Sequence, residues 1–165
     1  METTEILKSD TERRYLEIIV SDKHYCVPLK DISEVVPNFE ISSVPLTKSH
    51  FKGLINLRGQ IISVLDLGMR IEKTPTKFVE KQTCIVIFNI DDIKVGALVD
   101  EVLAVQLICD SVIDDQNHIK SQKNLFVTGV IKEENKSNLR FLLDLIPLLD
   151  IDEIKEIERN HAVNG

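Results

Sequence analysis

Apolar positions along this chain gather into short runs: Y-L-E-I-I-V at 15–20, Y-C-V-P-L at 25–29, L-I-N-L at 54–57, I-I-S-V-L at 61–65, C-I-V-I-F-N-I at 84–90 and I-K-V-G-A-L-V at 93–99. They are rich in β-branched residues and separated by Ser, Asp, Asn and Gly, which is how strands joined by hairpin turns read. Ser21-Asp22-Lys23-His24 and Asp91-Asp92 supply two such turns, and Gly59 lets the chain reverse between 54–57 and 61–65 because it has no Cβ to forbid positive φ. Pro28 lacks an N–H for a ladder and belongs at a strand edge or end. Asp31 with Glu34 three residues on predicts a short capped helical turn, closed by Pro37. Residues 39–44 start in alternation and read as a strand ending at Pro45, and 68–81 as a surface connection. After the 93–99 run the apolar pattern continues to 108, and 110–124 is polar and irregular. Strands follow at 126–132 and 139–143 across a polar turn. Residues 146–158 place apolar and charged positions at helical spacing, an amphipathic C-terminal helix.

The pattern repeats. Ile18-Ile19-Val20…Glu34-Val35 corresponds to Ile85-Val86-Ile87…Glu101-Val102 at one constant offset, and Gly53-Leu54-Ile55…Val64-Leu65-Asp66-Leu67 to Gly129-Val130-Ile131…Leu142-Leu143-Asp144-Leu145, with a longer turn in the second copy. Short strands, frequent turns and little helix predict a mainly β protein of two small antiparallel barrels packed as a pseudo-symmetric pair. The expected organisation is a polar tail at 1–13, a first barrel at about 14–82, a second at about 83–150 with elements exchanged between them as one option, and a C-terminal helix and tail at 151–165.

Charge narrows the function classes. Residues 1–82 carry 12 basic and 12 acidic side chains and residues 83–165 carry 8 and 15, so the net charge of −7 lies in the second half. Nucleic-acid and anionic-membrane surfaces want clustered Lys and Arg, so this balance favours a protein partner or plain solubility. No apolar run reaches the roughly 18–20 residues of a membrane-spanning helix and the N-terminus has no signal-peptide core, so the expected address is cytoplasmic without direct membrane insertion. Cys26, Cys84 and Cys109 are odd in number and far apart, against a disulfide framework.

Catalytic chemistry finds no foothold. The chain has no phosphate loop, no G-x-G-x-x-G and no nucleophile elbow. His24 and Cys26 would share a strand face, but His50, Cys84, Cys109, His118 and His161 are scattered without metal-ligand spacing, so neither metal nor cofactor is expected. Asp66 and Asp144 could form an acid–base pair, yet no His or Lys is positioned beside them; the simpler reading is that each accepts backbone N–H bonds at a strand end. Arg58 at the hairpin tip reads equally as an arginine paired to a nearby acid and as an interface anchor, where its planar fork makes several directed bonds. Ile32, Val35, Val36, Val102, Leu103 and Val105 similarly read as core or as an exposed apolar groove.

Four blocks go further. N-L-R-G at 56–59, preceded by Gly53 and followed by V-L-D-L at 64–67, together with V-G-A-L-V-D-E-V at 95–102, T-G-V at 128–130 and L-L-D-L at 142–145, resembles the signature of the CheW family, in the family's order and over about 14–150. With no histidine-kinase core or receiver domain in the chain, it resembles the stand-alone coupling protein. The resemblance implies two five-stranded SH3-like barrels with a groove between them, and a non-enzymatic adaptor that couples the cytoplasmic tips of chemoreceptors to the chemotaxis histidine kinase, recruited to membrane-associated arrays. A related adaptor of another signalling array, for surface motility or second-messenger control, is the alternative. By motif, Gly53, Asn56, Arg58 and Gly59 match the receptor-facing region, with Ile32 nearby, and Gly96, Asp100, Val102 and Val105 match positions lining or supporting the groove. Leu29, Glu34 and Val35 match positions that meet the kinase's homologous regulatory domain, and Phe126 is placed near a second kinase contact.

Overall fold

In the computed structural model, residues 10–37, 39–114, 125–133 and 137–163 are described; the expected tail before residue 10, the 115–124 part of the irregular segment and the middle of the 133–138 turn lie outside them. Eleven strands are described: β1 (Glu12–Val20), β2 (Lys23–Pro28), β3 (Ile32–Val36), β4 (Phe51–Leu57), β5 (Gln60–Asp66), β6 (Cys84–Ile90), β7 (Ile93–Val99), β8 (Glu101–Cys109), β9 (Ile113–Asp114), β10 (Val127–Ile131) and β11 (Arg140–Leu143). Two helices, α1 (Leu145–Leu149) and α2 (Ile151–Val163), close the chain.

The strands form two sheets, ordered β8-β1-β2-β11-β10-β9 and β3-β6-β7-β5-β4. The expected five-stranded barrels are thus a six-stranded and a five-stranded sheet, because the two-residue β9 adds a strand beside β10. Their strands are exchanged between the halves of the chain. The first hairpin β1–β2 joins the sheet of β8 to β11, and β6–β7 joins that of β3 to β5. Each exchanged hairpin is joined antiparallel on one side, β1 to β8 and β6 to β3, and parallel on the other, β2 to β11 and β7 to β5. Setting β9 aside, each sheet has one order of equivalent strands, so the repeat read in the sequence is a real pseudo-symmetry. Its register differs from the constant offset, since the equivalent turns are Ser21-Asp22, with φ 50° and 63°, and Asp91-Asp92, with φ 50° and 64°. Positive φ at both turn positions is the two-residue geometry that follows the strands' own twist.

The main core is shared by both sheets: Leu16, Ile18 and Val20 meet Phe51, Leu54, Val86, Phe88 and Val95, and α1 and α2 add Leu148, Leu149 and Ile154. The C-terminal helices therefore belong to the folded unit. They are two helices, broken at Asp150, whose φ of 44° no helix continues. A second cluster, Val36, Ile55, Ile62, Val64, Ile85, Ile87 and Leu98, fills the curl of the five-stranded sheet, and a third around Tyr15, Cys26, Ile108, Ile131 and Leu142 backs the six-stranded one.

Three local expectations change. Leu29–Asp31 is a 3-10 turn that Asp31 ends, and Ile32–Val36 is a strand on β6, because pairing there outweighs the modest capping signal. Residues 39–44 make only one isolated bridge, Ser42 to Leu54, which lays that segment across Gly53. Within 68–81, Gly68–Glu72 is a π-helical turn whose Gly68 is buried.

Candidate protein-interaction surface

The hairpin β4–β5 pairs Leu57 with Gln60, leaving a two-residue turn, Arg58-Gly59, with φ 51° and 85°. Gly59 takes its φ freely; Arg58 holds a left-handed backbone, which costs an L-residue about 1–2 kcal/mol. The Asn56 side chain helps hold it there, its Oδ1 accepting the Gly59 N–H at 2.8 Å. So one residue of N-L-R-G locks the turn, another permits it, and the turn projects the third outward.

The guanidinium is 71% exposed and bonds the Glu34 carboxylate on β3. β3 and β4 are the two edges of the five-stranded sheet, so the ion pair spans edges that make no ladder with each other. The sheet has curled around the second cluster until tip and opposite edge touch. Beside this contact a hollow of about 400 Å³ is lined by Val36, Phe39, Glu40, Ser42, Ile55, Asn56 and Leu57. Val35, 38% exposed, lies next to Glu34 on the same strand.

A second exposed surface lies on β8, an edge strand of the other sheet. Leu103, Val105 and Leu107 are 40%, 52% and 57% exposed; Val105 and Leu107 share a face, and the register shift at 103–104 interrupts the alternation before them. Val102 is half-buried against the main core and pairs with Ile18.

The remaining residues inferred from the sequence sit elsewhere. Gly96 is buried, paired with Ile87 and Val64, and a Cβ there would lie 2.9 Å from Ile85. Gly53 is buried at a bulge with φ 150°, where a Cβ would be 2.3 Å from the Ser42 carbonyl oxygen. Asp100 accepts the Ser21 N–H at 2.7 Å and donates its own N–H to the Ile19 carbonyl, pinning the first hairpin turn. Ile32 and Leu29 are half-buried against the main core. Phe126 is half-buried under the Arg70 guanidinium, 4.8 Å from its ring centre, while Arg70 donates to the Leu148 and Pro147 carbonyls. Asp66 and Asp144 accept backbone N–H bonds, from Met69 and Thr76 and from Ile146. Of the proposed contacts, then, Glu34, Asn56 and Arg58 are brought together, Val35 lies beside Glu34 on the other face of β3, and Val102 and Val105 belong to a separate surface. Gly53, Gly96 and Asp100 shape the backbone under them. Exposed Leu107 and Ile61 carry no expectation from the sequence, although the alternation of Val105 and Leu107 along β8 was an available signal for the first.

Among the described residues, no cluster of three or more His, Cys, Asp or Glu side chains could hold a metal ion, and no helix is long and apolar enough to cross a membrane.

The CheW-like domain family matches residues 14–158. The chemotaxis protein CheW of Thermotoga maritima is 28% identical over 145 residues, covering 88% of this chain and 89% of that one. A shorter match, 33% identical over 72 residues, links 44% of this chain to 11% of the chemotaxis protein CheA of Listeria monocytogenes. Among solved structures, the scaffolding protein TtCheW from Thermoanaerobacter tengcongensis superposes with a TM-score of 0.74 at 28% identity, over 84% of this chain and 92% of that one.

Proposed function

This chain belongs to the CheW-like domain family, and on that premise we propose that it is the chemotaxis adaptor that couples chemoreceptor tips to the histidine kinase and helps build their array. It acts by contact, with no catalytic step of its own. The receptor tip lies against Asn56, Arg58 and, on β8, Val102 and Val105, and the kinase's regulatory domain meets Leu29, Glu34 and Val35.

The observation that carries this reading is the Arg58–Glu34 ion pair. Two residues carried over to different partners are each other's partners in the free chain. A receptor that engages the guanidinium competes with Glu34 for it, and a kinase that engages the carboxylate frees Arg58. Occupancy at one surface therefore changes the cost of binding at the other, which is what coupling between sites means thermodynamically. Because the pair is largely exposed, it is worth at most about 1 kcal/mol, so the linkage through it is about fivefold or less.

Assembly with kinase and receptor tip, scored for kinase stimulation and for each pairwise affinity, tests this. Arg58→Ala weakens receptor binding at least about tenfold, as truncating an interface arginine does. It shifts kinase affinity no more than the fivefold linkage. Glu34→Lys damages the kinase contact more than the receptor contact. If Arg58→Ala lowered both affinities together with the folded fraction, the arginine would be a folding residue and this assignment wrong.

A further inference from the structure

Where β1 begins and β2 ends, the pairing of Tyr15 with Pro28 leaves a hollow of about 710 Å³ lined by Arg13, Arg14, Tyr15, Pro28, Leu29 and Lys30. Three cations surround one apolar wall in a chain whose net charge is −7. Arg13 has Asp110 at 3.5 Å; Arg14 and Lys30 have no carboxylate partner among the described residues. Like charges gathered around a cavity repel one another, and folding gives them no return here, since both side chains are exposed. The backbones that carry them are fixed: Arg14 sits within the β1 ladders, and Lys30 in the 3-10 turn that follows β2.

We propose that this hollow seats a carboxylate-bearing segment of the kinase's regulatory domain. The inference rests on the adaptor reading, because Leu29, which that reading gives to the kinase, forms part of the wall. A guanidinium and an ammonium lining one partly apolar pocket suit a carboxylate whose neighbouring residues are apolar: Arg14 offers a planar fork, Lys30 a point charge, and Tyr15, Pro28 and Leu29 a surface that sheds water. Arg14 also pairs across the strands with Leu107, 57% exposed, so the basic pocket runs into an apolar rim. Such complementarity sets the association rate and its salt dependence more than the packing does.

The test is calorimetric titration of the full chain with the kinase's regulatory domain between about 50 and 300 mM NaCl, a range over which screening of exposed charges changes strongly. Wild type binds more weakly as salt rises. Arg14→Glu with Lys30→Glu loses at least tenfold in affinity and most of the salt slope, while receptor-tip binding and the thermal midpoint stay put. Lys30→Arg retains both affinity and slope. A charge-reversed chain that binds the kinase domain with unchanged affinity and slope overturns the pocket and leaves the adaptor reading standing. A wild-type chain that does not bind the kinase domain at all removes the adaptor reading, and the pocket with it. Inorganic phosphate that binds wild type and not the charge-reversed chain, yet leaves kinase affinity unchanged at matched ionic strength, also overturns the proposal, since the occupant would then be a small anion.

Discussion

Hairpins β4–β5 and β10–β11 hold equivalent places in the two sheets, and the treatment of one arginine separates them. At the first tip Arg58 is 71% exposed, carried outward by a two-residue turn. In the second, Arg140 is 2% exposed at the base of the turn, with Nη2 2.8 Å from Glu133 Oε2 as an ion pair and, among the described residues, neither Nη1 nor Nη2 in an aligned hydrogen bond. The surroundings match closely. Each hairpin has a bulge at its glycine, Gly53 or Gly129, and each following aspartate donates its N–H at 2.7 Å to the carbonyl before the hairpin, Asp66 to His50 and Asp144 to Phe126. The same frame therefore turns one arginine inward and the other outward. The second hairpin has no N-L-R-G in its sequence, so that motif is no requirement of the fold, which supports reading Arg58 as recognition.

The largest effect that would sharpen this contrast is at Arg140. Arg140 is buried while its partner Glu133 is 29% exposed, so Arg140→Ala costs about 3 kcal/mol of stability by urea denaturation, from the emptied interior space together with the unpaired carboxylate. A loss below about 1 kcal/mol would mean that the buried arginine is dispensable and the contrast empty.

Next come the paired glycines. Gly53→Ala puts a Cβ 2.3 Å from a backbone carbonyl at φ 150° and costs about 2 kcal/mol. Gly129→Ala meets an Ile113 methyl at 3.0 Å and the Asp114 carbonyl oxygen at 3.3 Å, shifts of only a few tenths of an ångström without a positive φ, and costs about 1 kcal/mol. Equal losses would show that the crossing segment at Ser42 yields as easily as a side chain.

The smallest effect lies at the residue before each hairpin. His50 is buried, and desolvation, followed by the Arg70 and Lys48 charges, holds its imidazole below the usual histidine range, against the pull of Asp150. The unfolded chain takes up that proton near pH 6.5, while the native state resists. Stability from this group is therefore present above about pH 6.5 and is lost as pH falls. Glu153, 3.7 Å from His50, is raised by burial and slopes the other way at more acidic pH. Comparing His50→Gln with wild type by thermal melts from pH 7.5 to 5.5 isolates the histidine. The variant shows the smaller decline, and identical declines would place the titration elsewhere.

What the sequence made legible were features written within a few neighbouring residues. Asp91-Asp92 and Gly59 announced tight turns because turn chemistry is local, and the matching Gly-to-Asp spacings announced the pseudo-symmetry. The exchange of strands was not legible, since β1–β2 fits a sheet with its own half or with the other equally well by pattern. Neither was the Arg58–Glu34 pair, whose members lie on opposite edges of a sheet and meet only through its curl. Gly53 and Gly96 belonged to the matching motifs, yet both are buried, and the space their missing Cβ leaves is taken by a carbonyl and by core methyls. A motif shows which positions matter together; which of them face outward is settled by packing.

The interleaved strand orders carry a consequence for how this adaptor can be divided. A break in the exposed stretch between residues 73 and 82 would separate every strand of β1–β5 from β6–β11, and neither piece would own a complete sheet. Each fragment is the template on which the other folds. Made as two polypeptides, the pieces would be inert apart and whole together, a natural complementation pair from which coupling could be assembled on demand.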